Sequence, residues 1–121
     1  MRILVVDDDE QILRMMERLL SQRGHAVETC HGPFGASALA VRQRPELILL
    51  DVMMPAIDGE ALSALLERAP LDPHPQIVLW SADDETVYRL LREKRHHVLS
   101  KNGDLARVID ELERLARTAH K

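Results

Sequence analysis

The stretch LILLDVMMP, residues 47–55, decides the fold. Its run of aliphatic residues is typical of a short strand that is buried on both faces. The run ends at one carboxylate, Asp51, and Pro55 follows, which cannot donate a hydrogen bond to a sheet ladder. The pair Asp58 and Gly59 then marks a turn. The pattern therefore places Asp51 at the C-terminal end of a central strand, the edge where open α/β sheets bind ligands.

The rest of the chain alternates between short apolar runs and amphipathic segments of helical period. The predicted strands are residues 2–6, 25–30, 46–50, 76–80 and 97–100. The predicted helices are one that carries residues 12–20 and ends at Gly24, then 33–43, 58–68, 83–95 and 105–116. We place Pro33 in the first turn of the second helix. This alternation predicts right-handed βαβ units and an α/β fold with a parallel sheet covered on both faces, in one domain over residues 1–121.

Composition excludes several classes of protein. The formal net charge of −4 argues against nonspecific binding of nucleic acid, which needs a basic face. The single cysteine, Cys30, has no partner for an internal disulfide, and we predict that it is a small buried hydrophobe. The sequence shows no signal peptide and no apolar run long enough to cross a membrane. We therefore predict a cytoplasmic protein that does not associate with membranes.

Polar residues follow four of the predicted strands. Asp7 and Asp8 follow the first strand, Asp51 the third, Ser81 the fourth and Lys101 the fifth, so a parallel sheet brings them to one edge. Three neighbouring carboxylates repel one another, and Mg²⁺, which prefers oxygen ligands, removes that conflict. A carboxylate is also a nucleophile toward phosphorus, while lysine and serine side chains bind phosphate oxygens. The combination indicates phosphoryl transfer.

Each of these features has a simpler interpretation when it is taken alone. An acidic pair before a helix is usually a solvated cap, and a lone aspartate or serine after a strand is usually a cap or a turn residue. A single lysine at a strand end is normally a solvated surface charge. The joint placement of all of them, in this order and at these strand ends, favours a common site.

The motifs together resemble the receiver domain of two-component response regulators. The resemblance is carried by ILVVDDD at residues 3–9, LDVMMP at 50–55 with Asp58 and Gly59, Ser81 with Ala82, and Lys101. It covers nearly the whole chain. It implies a flavodoxin-like (βα)5 three-layer sandwich with a five-stranded parallel sheet of order 2-1-3-4-5.

The resemblance also implies roles for the site residues. Asp51 is the phosphoacceptor, and a histidine kinase or a histidine phosphotransfer protein is the donor. Asp8, the Asp51 carboxylate and the backbone carbonyl of Met53 would hold Mg²⁺, and Asp7 would assist, through water. Such a protein is a signalling phosphoacceptor and not an enzyme, since it takes part only in its own phosphotransfer and autodephosphorylation.

Two further roles belong to switching. In the family pattern, Ser81 supplies the hydroxyl that moves toward the phosphoryl group, and Lys101 pairs with that group. The resulting change is transmitted to an effector, unknown here, through the face formed by the fourth helix, the fifth strand and the fifth helix. That face carries a group of basic residues, which we interpret either as a solvated helix surface or as a docking patch for an acidic partner. They are Arg89, Arg92, Lys94, Arg95, His96 and His97.

The chain departs from the family pattern at two positions. Asn102 follows Lys101, where the family usually has a proline after a cis peptide bond. Because a cis bond before a residue other than proline costs about 2.5–4 kcal/mol, we predict a trans bond and a loop of different shape. Val98 stands where the family commonly carries Tyr or Phe.

Two alternatives remain. A pseudo-receiver, an interaction module that phosphorylation does not regulate, is compatible with the altered lysine loop. A haloacid-dehalogenase-like phosphatase would use the Asp-x-Asp of residues 7–9, but it needs an acidic motif after its lysine, and Asp83 and Asp84 precede Lys101. It would also leave Asp51 without a role. We favour a phosphorylatable receiver; the cognate kinase, the output and the oligomeric state do not follow from the sequence.

Overall fold

The strands and helices alternate strictly along the chain. A computed structural model describes residues 1–55 and 57–119. The strands are β1 (Arg2–Asp7), β2 (Ala26–His31), β3 (Leu47–Asp51), β4 (Gln76–Ser81) and β5 (His97–Ser100). The helices are α1 (Glu10–Gln22), α2 (Ala36–Gln43), α3 (Gly59–Arg68), α4 (Asp84–Glu93) and α5 (Leu105–Ala119).

The five strands form one parallel sheet in the order β2-β1-β3-β4-β5, as the resemblance implied. β3 is central, and each of its residues is buried, which explains its unbroken aliphatic run. Because all strands run the same way, their C-terminal ends meet at one edge, and the polar residues that follow them come together there.

Alternate residues of the strands feed two separate cores. Leu4 and Ile48 pack on one side of the sheet, against α2, α3 and α4, whereas Val5 and Leu49 pack on the other side, against α1 and α5. This alternation with a period of two residues produces the three-layer sandwich. Cys30 is buried in the first of these cores, as predicted.

The second helix begins later than predicted. It starts at Ala36 instead of Pro33, because Gly32 and Gly35 have positive φ angles of 93° and 84° and the segment between them forms a turn. This left-handed geometry interrupts a helix that proline would otherwise favour at its first turn.

The predicted end of the fourth helix was also wrong. α4 ends at Glu93 and not at Arg95, because Lys94 adopts a left-handed conformation with φ of 55°.

In the described part of the chain, no helix is long and apolar enough to cross a bilayer.

The edge of the sheet opposite the strand C-termini is closed by paired charges. Arg23 contacts Asp110 at 2.5 Å and Glu113 at 2.7 Å, and His25 Nε2 lies 2.8 Å from Glu113 Oε2. The hydrogen bond with His25 lowers the pKa of Glu113. These pairs join the end of α1 and the start of β2 to α5.

Candidate functional site

The polar residues predicted to share one edge of the sheet do so. Asp7, Asp51 and Ser81 are the last residues of β1, β3 and β4, while Asp8 and Lys101 directly follow β1 and β5. Asp7, Asp51 and Ser81 are all almost completely buried, which is rare for carboxylates and requires compensating partners.

Lys101 is the partner of both buried carboxylates. Its Nζ lies 2.7 Å from Asp7 Oδ2 and 3.3 Å from Asp51 Oδ1, and its ammonium is 5.0 Å from the centre of the Trp80 ring. Trp80 is fully buried beside the site. The Lys101–Asn102 bond is trans, since Asp72–Pro73 is the one cis bond among the residues that the structure describes. The lysine therefore reaches the carboxylates without a proline after it.

Asp7, Asp8 and Asp51 form a cluster whose carboxylate oxygens lie within 4.8 Å of one another. Only Asp8 is exposed, so the cluster opens to solvent on one side. A set of hard oxygen donors with net negative charge fits Mg²⁺, which is bound through few carboxylates and keeps several waters. Met53 follows the cluster, and its backbone N–H donates to Asp51 Oδ1 at 3.1 Å.

Burial raises the pKa of Asp51 to about 7, and the neighbouring Asp7 carboxylate acts in the same direction. Lys101 and the Met53 N–H oppose that shift, while a hydrogen bond with Asp8 adds to it. The ionised form of Asp51 is therefore disfavoured in the protein without a bound cation, and added positive charge would stabilise it.

This shift predicts a stability that depends on pH. An unfolded aspartate titrates near pH 4, so the folded protein holds the Asp51 proton more tightly, and the free energy of unfolding falls as pH rises from about 4 through about 7. Asp51→Asn removes this titration. With a chelator present to remove divalent cations, we expect the free energy of unfolding of the variant, relative to that of wild type, to rise by on the order of 2 kcal/mol between pH 5 and pH 8. Urea unfolding at the two pH values measures this difference. A difference that does not change with pH would mean that Asp51 keeps an ordinary pKa.

The Ser81 hydroxyl oxygen is engaged by the backbone of the loop after β4. Ser81 Oγ accepts a hydrogen bond of 3.0 Å from the backbone N–H of Asp83. In the described chain, no hydrogen bond joins Ser81 to Asp51, so the role of Ser81 at a phosphoryl group stays a prediction.

Gly59 is a site residue whose importance the sequence did not reveal. It is the first residue of α3 and donates its N–H to Val52 O at 2.9 Å. A Cβ on Gly59 would lie 2.3 Å from Asp51 O and 2.6 Å from Val52 Cα. The sequence pattern indicates a turn at Gly59, but its φ is not in the left-handed range, so glycine is required here because of the limited space.

Comparison with known proteins agrees with this geometry. The family model described as the response regulator receiver domain matches residues 3–113. The chain belongs to this family. The receiver domain is 42% identical over 83 residues to the response regulator PleD of Caulobacter vibrioides, a match that covers 69% of this chain and 18% of PleD.

The receiver domain is also 41% identical over 83 residues to the response regulator MprA of Mycobacterium avium, covering 69% of this chain and 36% of MprA. These matches span about a fifth and a third of the relatives' lengths. Among solved structures, the BeF3-activated N-terminal receiver domain of Klebsiella pneumoniae RstA superposes with a TM-score of 0.81 at 23% identity, covering 97% of this chain and 99% of the other. That likeness supports the fold.

Proposed function

We propose that this receiver domain accepts a phosphoryl group on Asp51 from a phosphohistidine of a histidine kinase or a histidine phosphotransfer protein. The observation that carries the proposal is the Asp51 carboxylate itself, which is 3% exposed and lies at the end of β3, 3.3 Å from the Lys101 ammonium. Three side chains from other strand ends, Asp7, Asp8 and Lys101, surround this one carboxylate. A buried anion beside a fixed cation suits a nucleophile for phosphoryl transfer.

The chemistry is an in-line displacement at phosphorus. An Asp51 oxygen forms the new P–O bond, the P–N bond to the donor imidazole breaks, and the imidazole leaves with the bonding electrons. Lys101, whose ammonium is 3.3 Å from Asp51 Oδ1, would neutralise charge on the phosphoryl oxygens, and Ser81 would turn its hydroxyl toward them. The domain is thus a signalling phosphoacceptor that acts only on its own phosphoryl group.

Mg²⁺ is the proposed cofactor. Asp8, Asp51 and the Met53 carbonyl would hold it, with Asp7 assisting through water. When bound, it supplies positive charge that lets the carboxylates lie together and that offsets the charge of the phosphoryl oxygens.

We therefore expect Mg²⁺ to stabilise the fold. At ten times its dissociation constant, Mg²⁺ should add about 1.4 kcal/mol to the free energy of unfolding, equivalent to roughly 5 °C in Tm. Thermal unfolding with and without Mg²⁺ measures this, and Asp8→Asn is the matched variant that should lose most of the shift. An equal shift in wild type and Asp8→Asn would place the ion elsewhere.

The output surface is proposed to be the α4-β5-α5 face. Tyr88 and Leu91 are exposed on α4. Within the described residues, no acidic side chain contacts Arg92, Lys94 or Arg95. Exposed apolar and unpaired basic side chains on one face suit an acidic effector protein.

Intact mass after incubation with acetyl phosphate and Mg²⁺ tests the proposed function. One labile adduct with the mass of a phosphoryl group is the expected result, and it should disappear after treatment with hydroxylamine, which cleaves acyl phosphates. A folded protein that forms no adduct, with the small donor or with a phosphohistidine donor, would instead support the pseudo-receiver.

A further inference from the structure

Asn102 joins the two loops that carry Lys101 and Ser81. Its side-chain Nδ2 donates to the carbonyl oxygen of Ala82 at 2.6 Å and to Asp84 Oδ1 at 3.0 Å. We call these two hydrogen bonds the Asn102 tie. Asn102 follows Lys101 directly, and Ala82 follows Ser81, so the tie connects the residues immediately after the two predicted phosphate-binding side chains.

The tie acts on the peptide group that holds the Ser81 hydroxyl. The carbonyl of Ala82 and the N–H of Asp83 belong to the same peptide plane. The Asn102 side chain donates to the oxygen of that plane, and the N–H of the same plane, which belongs to Asp83, donates to Ser81 Oγ at 3.0 Å. Because the plane is rigid, holding its oxygen also limits the movement of its N–H, so the tie favours the hydrogen bond between the Asp83 N–H and Ser81 Oγ.

The base of the tie is itself fixed. The N–H of Asn102 donates to Ser100 Oγ at 3.0 Å, and the N–H of Lys101 donates to Ser81 O at 2.9 Å. The Lys101 side chain is anchored by Asp7 and Asp51. The β5–α5 loop is therefore a stable support from which the Asn102 side chain holds the neighbouring β4–α4 loop.

We propose that Asn102 is a positioning residue that opposes the rearrangement of Ser81 toward a phosphoryl group on Asp51. This proposal rests on the function proposed above and adds to it the element that sets the resting state of the site. If Ser81 is to bind a phosphoryl oxygen, its Oγ must move toward Asp51, and the Asp83 N–H that donates to it must either follow or lose its acceptor. The peptide plane is free to follow only when the tie opens. By linkage, a ligand that requires this rearrangement binds more tightly once the tie is removed.

Beryllofluoride with Mg²⁺ is the probe, because it mimics a phosphoryl group on a carboxylate. Trp80 is the sole tryptophan of the chain and lies under Lys101, so its fluorescence reports binding. We expect Asn102→Ala to lower the apparent dissociation constant about three- to tenfold, the range for loss of one hydrogen bond, here the bond to the Ala82 carbonyl that restrains the peptide plane. The same variant should lower the Tm of the free protein slightly, so that affinity and stability change in opposite directions.

Two matched variants show whether Asn102 acts through Ser81. Thr118→Ala removes a neutral side-chain hydrogen bond from the last turn of α5 and leaves both the tie and its base in place, so its affinity should equal that of wild type. In a Ser81→Ala background, Asn102→Ala should no longer change the affinity, because the hydroxyl that the tie restrains is absent.

The possible results distinguish the proposed role of Asn102 from the proposed phosphorylation of Asp51. The proposed role of Asn102 would be wrong if Asn102→Ala bound beryllofluoride no more tightly than wild type, or if it gained as much affinity in the Ser81→Ala background. Labelling of wild type by acetyl phosphate would still support a receiver in either case. Wild-type protein that neither binds beryllofluoride nor becomes labelled would overturn the proposed function, and the tie with it.

Discussion

Asp51→Asn is expected to abolish phosphoryl labelling by acetyl phosphate and Mg²⁺. The substitution keeps the shape of the side chain but removes the anionic oxygen that attacks phosphorus. The fold should persist, because the variant replaces a buried carboxyl group, whose pKa is raised to about 7, with a neutral amide. Intact mass measures the adduct, and far-ultraviolet circular dichroism checks the fold. The change is from one adduct per chain to none.

Asp9→Asn is the matched control for this experiment. Asp9 is exposed two residues beyond Asp7, and its side chain caps α1 by accepting from the N–H of Gln11. Asparagine caps helices about as well as aspartate, so labelling should remain at the wild-type level. Labelling that persists in Asp51→Asn would move the acceptor to Asp7 or Asp8, the other carboxylates of the cluster.

Gly59→Ala should be the most destabilising single-methyl addition at the site. The new Cβ would meet Asp51 O at 2.3 Å and Val52 Cα at 2.6 Å, and both are backbone atoms that no side-chain rotation relieves. We expect a loss of roughly 3 kcal/mol in the free energy of unfolding, measured by urea denaturation. Labelling of Asp51 should also slow, because the clash is resolved by moving α3 or the end of β3.

Gly103→Ala makes the same chemical change without the clash. Gly103 lies before α5, and apart from its own residue and its two chain neighbours no heavy atom lies within 4 Å of the position its Cβ would take. Its stability should stay within about 0.5 kcal/mol of wild type. Equal stability of the two alanine variants would mean that α3 stands further from β3 than the structure places it.

The strands and the site edge could be predicted because their signals are local. The aliphatic run before Asp51 and the polar residues at strand ends indicate a parallel sheet and a shared edge without knowledge of packing. The order of the strands came from the resemblance to the family, and the sheet confirms it. The span of one domain over the whole chain and the roles of the site residues stay predictions.

What could not be predicted depends on contacts between distant segments. Pro33 is a good signal for a helix start, yet the backbone angles of Gly32 and Gly35 delay the helix. Gly59 was interpreted through turn chemistry, whereas its neighbours across α3 and β3 determine it. In the sequence, Asn102 is distinguished only by standing where the family usually has proline, and the partners of its side-chain amide, Asp84 and Ala82, lie 18 and 20 residues away.

The two edges of the sheet differ in electrostatic frustration. At one edge, Arg23 and His25 pair with Asp110 and Glu113 of α5, whose side chains are 65% and 21% exposed. At the other, Asp7 and Asp51 share one lysine between two buried charges. Natural sequences generally avoid such conflicts except at functional sites. The paired charges therefore stabilise the fold at one end of the sheet, whereas the buried carboxylates at the other end would be stabilised further by added positive charge, such as that of the proposed Mg²⁺.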